Sequence, residues 1–178
     1  MNKLALLALA FCVIFNASAL PITPSSTPQW THTDPARQTA AQIATLVGIS
    51  SLTEVYKQEV GGSEGGTLAS SYTTTFSNTP SDPANALIDY ISGSFITGGS
   101  IFLYVKDGNN TPSGYIFDIS GWNGTEDISI TGFWPQQGGM SHVTILTGPA
   151  RVPDGGTTVA LLGFGIAALG FSRRFIRR

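Results

Sequence analysis

Apolar and polar positions alternate with a period of two through most of the middle of the chain. In "TLASSYTTTFS", Leu68, Tyr72 and Phe76 fall on one face and Ala69, Ser71, Thr73 and Thr75 on the other. "SGYIFDIS" sets Tyr115, Phe117 and Ile119 against Ile116 and Asp118. "DISITGFW" aligns Ile128 with Ile130, and "SHVTILT" aligns Val143 with Ile145. "SIFLYVKD" is apolar on both faces from 101 to 105, which predicts a central strand. Turn signals separate these runs at short intervals: "GGSEGG" at 61–66, "DGNN" at 107–110, "WNG" at 122–124 and "QQGG" at 136–139. One segment has the helical period instead. "DPARQTAAQIATLVG" predicts a short helix with Asp34 as N-cap, Pro35 at the first position and Gly48 as the stop. Its apolar face is Ala36, Ala40, Ile43 and Val47, with Leu46 alongside. Residues 20–33 are polar and proline-punctuated, an extended arm or first edge strand. The pattern predicts a mainly β protein: an antiparallel β-sandwich or jelly-roll-like domain over 20–150 with one short N-terminal helix.

The two ends follow neither period. Residues 1–19 read as one cation, Lys3, an apolar run over 4–15, then Ala17-Ser18-Ala19. This is a secretory signal peptide pattern, with cleavage expected after Ala19. An uncleaved anchor is the alternative, although twelve apolar residues span only about 18 Å of a roughly 30 Å bilayer core. At the other end, Pro153 and Gly155-Gly156 break regular structure, and residues 159–171 have no polar side chain. Arg173, Arg174, Arg177 and Arg178 follow as a basic stop. The positive-inside rule keeps those arginines in the cytoplasm and the domain outside. A buried core helix, a plain single-pass anchor and a transient sorting signal all fit an apolar stretch about 20 Å long.

Charge sharpens this division. Of the chain's nine Lys and Arg, four lie in the last six residues, so the overall net charge of −2 hides an acidic domain. From 20 to 153 there are four basic and ten acidic residues, a difference of −6. Such a domain lacks the basic field that a nucleic-acid binder needs. The only cysteine, Cys12, lies in the apolar run of the leader, so the processed chain has no disulfide and its core must hold it together.

The tail "VPDGGTTVALLG" resembles the PEP-CTERM class of sorting signals, and most closely its VPDSG variant. Val152, Pro153, Asp154 and Gly156 match, while Gly155 stands where the variant usually has Ser. The resemblance implies a sorting signal over 151–178: motif at 152–156, transmembrane helix at 157–171 and basic tail at 172–178. It also implies an exosortase partner in the inner membrane of an exopolysaccharide-producing Gram-negative bacterium, with release or attachment at the cell surface. The segment "YVKDGNNTPSGYIFDISGWNGTEDISITGFWPQQGGMSHVTIL" is similar to extracellular domains common among PEP-CTERM proteins, which implies a shared β-sandwich and no particular activity.

Catalytic signatures are sparse. His32 and His142 lack metal-ligand spacing, and His142, alternating with Val143, is expected to face solvent or a polar strand neighbour. Glu126 and Asp127 are adjacent, so on a strand they point to opposite faces and cannot act as a pair. Asp107 and Asn109 form either a hairpin turn or a calcium ligand set. Trp122 and Trp134 lie in loops and either stack on sugar rings or plug the ends of the sandwich. No cofactor is called for. The expectation is a non-enzymatic, structural or adhesive surface or matrix protein in contact with exopolysaccharide. The alternative is a carbohydrate- or calcium-binding module on a simple membrane anchor.

Overall fold

Every residue of the run 100–107 is buried, as a strand without a polar face requires. Around it the computed structural model describes residues 19–27, 29–77, 83–107, 110–135 and 138–149. Their strands are β1 (Leu20–Ile22), β2 (Gln29–His32), β3 (Thr53–Glu59), β4 (Glu64–Gly65), β5 (Tyr72–Ser77), β6 (Asn85–Tyr90), β7 (Ser100–Asp107), β8 (Gly114–Asp118), β9 (Ile128–Ile130) and β10 (Met140–Gly148). The one α-helix among them is α1 (Ala40–Val47). A six-stranded sheet has the order β2-β8-β7-β10-β3-β4, and a four-stranded sheet the order β1-β9-β6-β5.

Both sheets feed one apolar core. Ile22, Tyr72, Ile88, Ile128 and Ile130 from the smaller sheet meet Tyr56, Leu103, Val105, Phe117, Val143 and Ile145 from the larger. This is the two-layer packing of a β-sandwich. The period-two readings of 115–119, 128–130 and 143–145 hold, since their aligned residues all enter this core. One pairing departs from the all-antiparallel expectation: β1 runs parallel to β9, Leu20 opposite Ile128.

A second, smaller apolar cluster lies on the outer face of the larger sheet. Phe102, Tyr104, Ile116 and Leu146 project there and are covered by Ile43, Ala44 and Val47 of α1. The helix begins later than its sequence suggests. Thr39 is the N-cap: its side chain accepts from Gln42 N, and Gln42 reaches back to the Thr39 amide in a capping box. Asp34 caps a turn instead, its Oδ1 accepting from Ala36 N at 2.8 Å. Gly48 does end the helix, in the left-handed conformation (φ 73°) that glycine adopts without strain. The strand expected from Leu68 begins only at Tyr72, because residues 69–71 form a 3₁₀ turn. No helix among the described residues is long and apolar enough to cross a membrane. The expected spanning helix at 157–171 lies outside them.

Candidate functional site

Strand register places a row of polar side chains on the outer face of the larger sheet, beyond the end of α1. His142 on β10 stands opposite Lys106 on β7 and Glu59 on β3, and Thr144 stands opposite Tyr104 and Lys57. On the far side, Gly114 of β8 pairs with His32 of β2. A side chain at 114 would sit 2.2 Å from His32 Nε2, so only glycine lets the imidazole approach Tyr104. The His32 Nδ1 lies 3.1 Å from the Asp34 carbonyl, which can only accept, so Nδ1 carries the proton. Nε2 is then the acceptor for the Tyr104 hydroxyl at 2.9 Å. Burial, the largest influence, lowers the His32 pKa and keeps the ring neutral, and it pushes Tyr104 up to about 12.

Of the two expectations for His142, the polar strand neighbour holds: it is 5% exposed and stands between Lys106 and Glu59. The outer face of β10 is covered, so alternation with Val143 marks a second buried layer. Ser141 Oγ donates to the Lys106 carbonyl at 3.2 Å and stands 3.3 Å from His142 Nδ1, which makes Nδ1–H the donor of that contact. Nε2 is left without a partner, as is the nearby Thr144 hydroxyl. Burial first, then the charges of Lys57 and Arg37, drives the His142 pKa down to about 3. Lys57 is ion-paired with Glu59, and Arg37 with Glu54. Lys106 Nζ bonds the Asp107 carbonyl, with its pKa lowered mainly by burial. The row is thus a largely neutralised polar layer with two orphaned atoms.

The loop tryptophans are placed inside the sandwich. Trp122 is 6% exposed, its Nε1 donates to the Glu126 carbonyl at 2.6 Å, and its ring meets Tyr72 at 5.9 Å. Trp134 is 5% exposed, with Nε1 donating to the Pro112 carbonyl at 2.8 Å and its ring 5.3 Å from Tyr115. Trp134 adopts φ 45°, uncommon for a residue with a Cβ, which its close ring contacts with Phe133 and Tyr115 accompany. Of the two expectations for these rings, burial favours the plug: both join the core cluster, and Trp122 also borders a cleft with Leu20, Ile22 and Glu126. Glu126 and Asp127 serve the loop through their backbones, Asp127 accepting from Leu20 N at 2.7 Å. Among the described residues no three His, Cys, Asp or Glu side chains gather as a metal site. Asp107 Oδ2 accepts from Asn110 N at 3.3 Å, and Asn109 lies outside the described residues.

The described residues end close to the two end segments. Ala19 is half-buried and precedes β1 directly, whereas Ala17 lies outside the described residues. β10 ends at Gly148, where an added Cβ would come within 2.8 Å of the Ser51 carbonyl. Three residues further on begins the segment with Val152, Pro153, Asp154, Gly156 and Arg173, Arg174, Arg177 and Arg178, all outside the described residues. That segment matches the VPDSG-CTERM motif, over residues 151–175. No curated protein and no solved structure matches the chain. The VPDSG-CTERM match is a sorting signal of the PEP-CTERM-like kind, in the variant that the sequence suggested. A motif of this kind implies processing by an exosortase-type system and export with surface association.

The buried polar row escaped sequence reasoning almost entirely. Its signal was present in the combination of polar residues on strands flanked by a helix, since Lys57, Lys106 and Thr144 share strands with core residues.

Proposed function

We propose that this protein is a non-enzymatic β-sandwich carried through the inner membrane by its leader and processed at its VPDSG-CTERM tail by an exosortase. It then serves as a structural or adhesive component of the cell surface or matrix, in contact with exopolysaccharide. The observation that carries the reading is the tail match at 151–175, following directly on a domain whose last strand ends at Gly148. Aromatic and branched side chains fill the core, which holds the domain together without a disulfide.

Intact mass of the protein from cells with and without the exosortase tests the reading. Loss of the arginine-bearing end only in exosortase-positive cells is the expected result. Retention of Arg173, Arg174, Arg177 and Arg178 in both would make the tail a plain single-pass anchor. A glycan array and calcium titration of the thermal midpoint address the matrix role, with a pull-down on purified exopolysaccharide as the positive arm.

A further inference from the structure

Four large apolar side chains are exposed among the described residues: Leu46, Leu87, Ile91 and Phe95. Two of them, Ile91 at 58% and Phe95 at 44%, lie in the connection between β6 and β7. Register fixes where that connection sits. β7 starts at Ser100, which pairs with Gly148, the last residue of β10. The connection therefore flanks the point from which the chain leaves the sandwich. A groove there is lined by Val55, Leu68, Phe95, Ile96, Thr147 and Gly148, so the exit strand forms one of its walls. Residues 49–52 close the other side of Gly148. Leu46, 41% exposed, lies in the last turn of the helix that leads into them.

The connection "ISGSFITGG" at 91–99 has no charged residue. Moving it to a lipid boundary desolvates no ion. The acidic domain gives no electrostatic attraction to anionic headgroups, so any contact there is apolar. From Gly148 to Val159, where the polar-free stretch starts, the chain has eleven residues, a reach of about 36 Å when fully extended. The exit end is thus held close to whatever bilayer holds the tail.

We propose that the exit end of the sandwich is a lipid-contacting surface, with Ile91 and Phe95 entering the headgroup boundary of the membrane in which the tail is embedded. This rests on the reading of the tail as membrane-inserted. Contact fixes the orientation of the sandwich above the bilayer and presents the motif at 152–156 beside the surface where an inner-membrane enzyme works.

The test uses the signal-processed chain with its tail, which has no cysteine of its own, purified from cells lacking the exosortase. Nitroxide labels are placed through Phe95→Cys, Ile91→Cys, Leu87→Cys and Leu161→Cys, one at a time, in vesicles of phosphatidylethanolamine and phosphatidylglycerol. Collision rates with oxygen and with a water-soluble nickel chelate report depth. The expected result is a label at 161 in hydrocarbon, labels at 91 and 95 at headgroup depth, and a label at 87 in water. The ratio of oxygen to nickel collisions at 91 and 95 then exceeds that at 87 several-fold. If 161 is in hydrocarbon while 91 and 95 match 87, the proposal is overturned and the tail reading stands. If 161 is aqueous, the tail reading fails and the proposal with it. Shielding of 91 and 95 from both reagents means that protein covers them, which also overturns it. Should Phe95→Cys lower the thermal midpoint, Ile91→Cys, the more exposed site, decides.

Discussion

The two faces of the six-stranded sheet solve burial in different ways. Inward, Leu103, Val105, Phe117, Val143 and Ile145 join a single apolar cluster with the smaller sheet. Outward, one residue along each strand, apolar Phe102, Ile116 and Leu146 give way to His142, Thr144, Lys106 and Lys57. The inner face is mostly apolar, with the Tyr56 hydroxyl paired to Thr74, so its stability rests chiefly on packing. The outer face must satisfy rings, hydroxyls and ammonium groups under a single helix and the turn before it. It leaves His142 Nε2 and Thr144 Oγ1 unpaired. The central strand of a sheet can therefore be buried on both sides while the two sides carry different chemistry.

The largest effect belongs to the inner face. Phe117→Ala empties a fully buried site and is expected to cost about 3–5 kcal/mol in urea unfolding. A loss below 1 kcal/mol would mean that the inner face is no better packed than the outer.

Acid sensitivity comes next and belongs to the outer face. His142 has a folded pKa of about 3 against 6.5 in the unfolded chain, so the unfolded state binds the proton first. Stability is full above pH 6.5 and falls as pH drops toward 3, by about 2 kcal/mol between pH 7 and pH 5. His32, also lowered, acts in the same direction. A His142→Gln variant should flatten this slope, and an unchanged slope would remove His142 as its cause.

Thr39→Ala breaks the capping box and should cost about 1 kcal/mol, loosening the lid over the outer face first. Amide exchange that rises in α1 while β7 stays protected would show it. Smallest is Thr144→Val, which removes an unpaired hydroxyl. It should be neutral or stabilising by up to about 1 kcal/mol. A clear destabilisation would show that the hydroxyl has a role that its geometry does not display.

The same contrast explains what the sequence revealed. Strands feeding the inner core were legible because one face alternates cleanly, as in Tyr115, Phe117 and Ile119. β3 was hidden: "TEVYKQE" sets Lys57 and Gln58 among its buried positions, and β10 shifts register against it between Ile145 and Leu146. β6 was hidden by Leu87, apolar yet outward, between buried Ala86 and Ile88. The helix start was misplaced because Asp34-Pro35 mimics a cap, whereas the N-cap, Thr39, with its reciprocal Gln42 bonds, lies five residues later. His142 and the tryptophans were left with two readings each for a shared reason. Their polar atoms find partners, or do without, beneath cover that local pattern cannot report. The tail was legible because its signal is local: a short motif, an apolar run and cations read in one line.

The first rung of the smaller sheet has a consequence for maturation. Leu20 N donates to the Asp127 carbonyl, and β1 lies at the sheet edge, one residue past Ala19. Severing the leader there would turn that amide into an ammonium, which still has hydrogens to give the same carbonyl. Trimming near Asp154 would likewise leave the Gly148–Ser100 pair untouched. The first cut would thus fall on a rung and keep its hydrogen bond, while the second would fall beyond the last rung.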